Sequence, residues 1–571
     1  MLYFYCINKS NIMNTINKSK LFPLFFVLIF FCTVVKGQKN PVLIDSKKVI
    51  KEGIDFFDEG KFNDAKEKFL QVQFPDSNYY WAQYELSMVY LNDSLYDQAI
   101  DISRKSIEGG STESAHYNIW GTSLDHQKKP EEAIEVYKKG ISRYPYNDVL
   151  WFNLGIVYEG AKDYKNAIET YKKLLSFSPL SASTHLRLAR ICVQEGLYTQ
   201  AILSYSMFLI IEPDSRRSLT VLVEFNNLCN GSLVDAGTEK NNALKQELED
   251  IDLLVTNQVA LNNKYKVPGK FGYAFVKQLY LIMDKISETP SPSPDYFSAF
   301  YVPVFKDIKK TNSFETLALL LLASSDNEDI MKQISKKKSE IITFREKCLK
   351  INSNNHSNYE VDLYGKKQIL TNWYYKNLKI NAFGNENVRK QNVGDWLYID
   401  YNGSVKAMGH YSNEGLKTGM WTFWNENGDT LKTITYNNDK ADGPYCIYKE
   451  GVRNEKGTYK NDLLDGDITE YFPDGSVSYT SKYVNDKRNG EVKKYFRIGT
   501  LKLENNFIND LADGLYKEYY PNTKLYKTSL IKEGKYDGNY KEYYEDGQLK
   551  KDADYKNGTF AGAYKTYFRN G

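Results

Sequence analysis

Glycine recurs along the final third of the chain with a period near 24. Gly394, Gly419, Gly443, Gly466, Gly490, Gly514, Gly538 and Gly562 are separated by 25, 24, 23, 24, 24, 24 and 24 residues. A second glycine follows nine residues later at Gly403, Gly428, Gly475, Gly499, Gly547 and Gly571; one unit has it a residue early, at Gly451, and another has Thr523 instead. Five residues after each first glycine stand Ile399, Trp424, Tyr448, Tyr471, Tyr495, Tyr519, Tyr543 and Tyr567. Units this short cannot each enclose a core, so they must stack on one another. "DG" and "NG" between alternating runs are hairpin signals, because glycine accepts the positive φ of the turn. The pattern predicts one hairpin per unit and one elongated, twisted, single-layer antiparallel sheet. Along "NYKEYYED" (539–546), Tyr540, Glu542 and Tyr544 point to one face and Lys541 and Tyr543 to the other. A tyrosine packs by its ring and wets its tip, and cross-strand aromatic pairs contribute roughly 0.2–1 kcal/mol each. That role accounts for the tyrosines; a sugar- or lipid-headgroup-binding face is the second reading.

A different period governs the N-terminal half. Ala65, Ala99, Ala133, Ala167 and Ala201 are each 34 residues apart. With Asp148 as position 1, Trp151, Leu154, Gly155, Tyr158, Ala167, Tyr171 and Pro179 occupy positions 4, 7, 8, 11, 20, 24 and 32. Positions 4, 7, 8 and 11 share one face of a first helix, and 20 and 24 one face of a second. Small Gly155 and Ala167 let the two helices approach, and Pro179 ends the second. The preceding unit repeats the pattern with Tyr117, Trp120, Gly121, Ala133, Tyr137 and Pro145.

This 34-residue pattern closely resembles the tetratricopeptide repeat, with five copies over 46–215. The resemblance implies an all-α solenoid whose first helices line a concave groove, here with Tyr84, Met88, Asn118, Thr122, Asp125, Phe152, Ile156 and Arg190. The family's clamp for C-terminal carboxylates needs lysine and asparagine at set groove positions, and they are not present together. A mixed apolar groove fits a partner helix or extended peptide; the other reading is that these side chains pack between repeats. The 24-residue units over 394–571 resemble the MORN repeat, in its bacterial "G-x-Y-x-x-Y-x-x-x-G-x-L" form. Residues 351–393 read as a lead-in to that sheet.

Between the two arrays, 216–350 reads as a capping helix, with Ser215 at its N-cap, followed by a helical region of unassigned role. Its run 317–322 reads as buried helix. Residues 1–37 read as a secretory signal. Lys18 and Lys20 precede a 15-residue apolar run at 21–35, shorter than the roughly 20 residues of a membrane span. Cleavage before Gln38 and retention as an anchor are both open. An exported protein is expected, whether periplasmic, associated with the outer envelope or secreted.

Residues 1–37 contain four lysines and no acidic residue, so the remainder has 75 − 4 = 71 basic and 72 acidic residues. A net charge of −1 offers no attraction for nucleic acid. Cys192, Cys229, Cys348 and Cys446 are far apart and form no CxxC. The five histidines form no HExxH, and no Gly-x-Ser-x-Gly or phosphate-binding loop occurs. No catalytic residue, metal or cofactor is therefore expected. The reading is a multidomain, non-enzymatic scaffold of the bacterial cell envelope, its groove holding a protein partner and its sheet giving a second docking surface. An antitoxin or immunity role, implied by the labels common in the MORN-type family, and cell-wall glycan or membrane-surface contact are the alternatives. Oligomeric state is open.

Overall fold

The computed structural model describes residues 44–231, 248–288, 296–355, 360–363, 366–369, 372–376, 379–426 and 428–569. The apolar segment at 21–35 lies outside them. Among the described residues no helix is long and apolar enough to cross a membrane.

The first half is a stack of five antiparallel helix pairs: α1 (Ser46–Asp58) with α2 (Phe62–Leu70), α3 (Tyr79–Asn92) with α4 (Tyr96–Glu108), α5 (Ala115–His126) with α6 (Pro130–Arg143), α7 (Asp148–Gly160) with α8 (Tyr164–Phe177), and α9 (Ala182–Gln194) with α10 (Tyr198–Ile211). In three of the pairs a glycine of the first helix faces a ring of the second. A Cβ on Gly155 would lie 2.2 Å from the Tyr171 ring, one on Gly121 2.6 Å from Tyr137, and one on Gly53 2.5 Å from Phe69. The second pair has buried Ser87 and Ser103 at these places. Each pair turns through one left-handed residue, again spaced by 34: Gly60, Ser94, Lys128, Lys162 and Gly196, with φ between 60° and 75°. Only two of the five are glycine, so this turn is poorly marked in the sequence.

α11 (Arg216–Cys229) closes the stack, and the Ser215 side chain accepts from Ser218 N–H at its N-terminus. The helices that follow pack onto α10. That explains why α10 is buried on all sides rather than along one stripe. Its ends are satisfied by this region: Asp252 accepts from Thr199 N–H at 2.6 Å, and Arg345 donates to the Ile210 carbonyl at 2.9 Å. A carboxylate at the N-terminus and a guanidinium at the C-terminus also match the helix dipole. Leu317, Leu319, Leu320, Leu321 and Leu322 are all buried here.

The second half is a continuous antiparallel sheet from Asn372–Lys376 to Thr559–Thr566, in which strands pair with their chain neighbours. No described register joins the last strand to the first, and every described residue of Thr559–Thr566 is exposed, so the sheet ends in an open edge. The reading of "DG" and "NG" as turn signals fits the second glycine of a unit but not the first, and only the second glycines sit in turns. Gly403, Gly428, Gly475, Gly499 and Gly547 do so, with φ of 80–97°, and Thr523 adopts the same conformation at φ 68°. The first glycines, Gly443, Gly466, Gly490, Gly514 and Gly538, instead lie within or at the start of strands at φ of 117–143°. Around Gly490 and Gly538 the ladder slips. These are bulge glycines, which bend and twist the sheet once per unit.

The opposite turn is made by Asn438-Asp439, Asn461-Asp462, Asn485-Asp486 and Asn509-Asp510, both residues at positive φ, the two-residue hairpin geometry that matches strand twist. The aspartates also bind the preceding unit. Their carboxylates accept from the backbone N–H of Lys417, Ala441, Leu464 and Arg488 at 2.7, 2.7, 2.6 and 3.0 Å.

The sheet is single-layered but has a one-sided core, two residues after each first glycine. Trp396, Trp421, Tyr445, Ile468, Val492 and Tyr540 are buried in a column along one face. The strands between them carry small residues where the rings lie: a Cβ on Gly384 would be 2.3 Å from Trp396, and one on Gly409 2.0 Å from Trp421.

Among the described residues, solenoid and sheet join around α8 and the loop before α7. Phe383, Ile380, Leu397 and Ile399 of the sheet form an apolar cluster with Leu174 and Phe177 of α8, against which Tyr146, Trp151 and Phe152 pack. The turn around Gly403 enters the loop between α6 and α7. Tyr146 N–H donates to the Gly403 carbonyl, and the Asn147 carboxamide to the Asn402 carbonyl, both at 2.9 Å. A Cβ on Gly403 would lie 2.3 Å from the Asn147 nitrogen.

Candidate functional site

The concave surface is built by α1, α3, α5, α7 and α9. The eight groove residues named from the sequence are all half-buried. Tyr84 and Met88 lie on α3, and Tyr84 meets the buried His116 ring edge-on at 6.3 Å. Asn118, Thr122 and Asp125 lie on α5. Asn118 accepts from the Asn153 carboxamide of the next repeat, and the Thr122 hydroxyl meets the Tyr137 hydroxyl at 2.9 Å. Phe152 does not stand free in the groove: it packs on Tyr171 at 6.1 Å and against the cluster shared with the sheet.

Ile156 and Arg190 are brought together. They line a cavity of about 690 Å³ at the C-terminal end of the groove, with Glu159, Arg187, Tyr205 and Glu224. Arg190 donates to both carboxylate oxygens of Glu224 on α11, at 3.0 and 2.9 Å. Arg187 donates to Glu159 at 3.1 Å, and the same carboxylate accepts from the Tyr171 hydroxyl at 3.1 Å. The two guanidinium–carboxylate pairs cross from one repeat to the next, the Tyr171 bond lies within a repeat, and together they fix the charged side chains in place. A bidentate guanidinium–carboxylate pair is directional as well as charged. Burial raises the phenols of Tyr171 and Tyr205 above the ordinary range, so both remain hydrogen-bonding hydroxyls.

Glu159, Arg187 and Glu224 were not singled out from the sequence. Glu224 could have been, since it stands 34 residues after Arg190 and so repeats its helical position on α11. Arg187 and Glu159 pair across an offset of 28 residues, which the period does not expose. Among the described residues no cluster of histidine, cysteine or carboxylate side chains could hold a metal ion.

The 34-residue unit with its ring-against-glycine helix pair matches the tetratricopeptide repeat model over residues 149–179, and the bulged 24-residue hairpin matches the MORN repeat variant model over 536–557. The chain carries both tetratricopeptide and MORN-type repeats. Tetratricopeptide repeats are protein–protein interaction modules, and this solenoid provides such a scaffold. No curated protein sequence matches the chain. Solved structures similar to it include a MamA protein, at 21% identity over 29% of this chain and 92% of that one, with a TM-score of 0.26. A thermophilic tetratricopeptide protein of Thermus thermophilus is 18% identical over 31% of this chain and 96% of that one, with a TM-score of 0.27. YrrB, described as having an unusual peptide-binding site, is 16% identical over 32% of this chain and 91% of that one, with a TM-score of 0.25.

Proposed function

We propose that this protein is a non-enzymatic scaffold of the bacterial cell envelope that holds a partner peptide in the solenoid groove, with the sheet as a second docking surface. The observation that carries the reading is the cavity around Ile156 and Arg190. Its charged walls are held by hydrogen bonds between repeats, so they meet a ligand already positioned, and pre-organisation lowers the entropy lost on binding. Ile156 gives an apolar contact beside two guanidinium–carboxylate pairs, a mixture suited to an amphipathic segment rather than to a tail held only by its carboxylate. The envelope location is supported by the charged and apolar pattern of residues 1–37.

Selection of peptides from a random displayed library against the full chain tests the groove. Selected peptides should bind saturably, and Ile156→Glu should weaken them at least about tenfold while moving the melting temperature little, because Ile156 is only half-buried. Peptides that bind Ile156→Glu as well as the parent would contradict the assignment. Location is tested separately, by fractionating cells that express the full gene.

A further inference from the structure

Along the buried column of the sheet, ring size is not constant. Trp396, Trp421 and Tyr445 are followed by Ile468 and Val492, and rings return at Tyr516 and Tyr540. Where the column thins, the same face opens into a cavity of about 570 Å³. Val492 and Asn505 are its buried members, Tyr479 and Tyr516 stand at its sides, and Lys494 and Lys502 line it as exposed cations.

The charges here depart from the rest of the face. In the following units lysine and glutamate alternate across strands: Glu518 lies opposite Lys527 in register, bridged at 2.9 Å, and Lys527 lies opposite Glu542. Lys494 instead lies between Tyr479 and Leu503. Among the described residues neither Lys494 nor Lys502 forms a salt bridge, although Lys494 attracts Glu470, Lys502 attracts Glu518 and Lys502 lies over the Phe496 ring at 5.6 Å, whereas Arg488 at the same cavity is bound to Asp510 at 3.0 Å. Glu470 is the one carboxylate lining the cavity, against the three cations Arg488, Lys494 and Lys502. The Asn505 carboxamide oxygen accepts from Asn506 N–H at 2.9 Å, leaving its N–H groups as donors.

We propose that this cavity binds an acidic saccharide, a sugar ring bearing a carboxylate within a longer glycan. Tyr479 provides an aromatic face for the ring, Asn505 a donor for a hydroxyl, and Lys494 and Lys502 the charge for the carboxylate. The strands flanking the cavity are paired on both sides. Backbone addition of a peptide strand is therefore closed to this site, which favours a glycan over an acidic peptide. The inference rests on the sheet alone and stands or falls independently of the solenoid groove.

Calorimetric titration of the full chain with hexagalacturonate tests it. Saturable binding is expected, with none to the neutral maltohexaose. Val492→Tyr refills the column, as Tyr516 does between the same kinds of neighbour, Asn505 and Ser529. That substitution should weaken binding about tenfold or more. Lys494→Gln with Lys502→Gln should do the same; both side chains are exposed, so this variant decides if Val492→Tyr fails to fold by circular dichroism. Absence of saturable binding, parent-like binding by the double lysine variant, or equal affinity for maltohexaose, hexaglutamate or phosphatidylglycerol vesicles would each overturn the proposal.

Discussion

The solenoid and the sheet are both arrays of units too small to fold alone, yet they bury side chains in opposite ways. A solenoid ring such as Tyr171 or Tyr137 is enclosed by its own helix pair and the next, and both are essentially inaccessible. A sheet ring lies on one face and is covered only by its neighbours in the column, which enclose Trp421 and Tyr445 but leave Tyr540 9% exposed, Tyr516 half-buried and Tyr564 54% exposed towards the open edge. Cover in the one-layered sheet therefore varies along the column and falls towards its open edge. The sheet compensates with bonds between units, including the turn aspartates that accept from the previous unit, and with a junction that fixes one end of it to α8 and the loop preceding α7.

The largest test of this contrast is a matched pair of ring truncations. Tyr171→Ala should destabilise the solenoid by about 3–5 kcal/mol, whereas Tyr540→Ala should cost the sheet about half that or less, since its cavity is open to water. Urea unfolding of the two variants, followed by helical and by sheet signals, measures both; equal losses would remove the distinction between two-sided and one-sided cores.

Acid should divide the regions next. His185 is buried, its two ring nitrogens engaged by the Tyr301 hydroxyl at 2.6 Å and the Pro179 carbonyl at 2.9 Å, and burial lowers its pKa to about 4. Folded His185 is neutral, while the unfolded imidazole takes up a proton near 6.5. Its contribution is therefore complete above pH 6.5 and is lost as pH falls towards 4, by up to about 3 kcal/mol. His116 is shifted the same way. Unfolding midpoints at pH 7.5 and 4.5 should show the helical half weakening more than the sheet, and His185→Gln should remove part of that slope.

A smaller effect is expected at the junction. Gly403→Ala puts a methyl group against the Asn147 backbone and requires a residue other than glycine at φ 87°. About 1–3 kcal/mol of docking stability should be lost. Limited proteolysis should then cut between the halves while each keeps its own unfolding transition. The smallest effect is a gain: Thr523→Gly relieves a β-branched residue at φ 68° and should stabilise the sheet by about 0.5–1 kcal/mol, read as a rise in its unfolding midpoint.

Much of this organisation is legible in the sequence because periodicity reports burial. The 34-residue alanines and the 24-residue glycines identify an all-α solenoid followed by an antiparallel sheet. Other features escaped for physical reasons. "NG" at Asn489-Gly490 and "DG" at Asp537-Gly538 read as turns, but a bulge needs the same freedom of φ, and composition cannot separate the two. Four of the hairpin turns use Asn-Asp, where aspartate is selected by a bond to another unit as much as by its own conformation, and Asn557-Gly558 is an "NG" that does turn. Ile399 was visible as the aliphatic exception in a row of rings; its cause, burial against α8, required the junction to be seen. Within the groove, Ile156 and Arg190 line one cavity, whereas the surroundings of Phe152 include a domain more than 200 residues further along.

Hydrogen exchange on the full chain, with and without a selected groove peptide, tests the central claim most directly. The account predicts new protection on the concave surface of α7, α9 and α11, around Ile156, Arg187, Arg190 and Glu224, with the outer helices α6 and α8 unchanged. Protection confined to those outer helices or to the sheet, with none around Ile156 and Arg190, would contradict it.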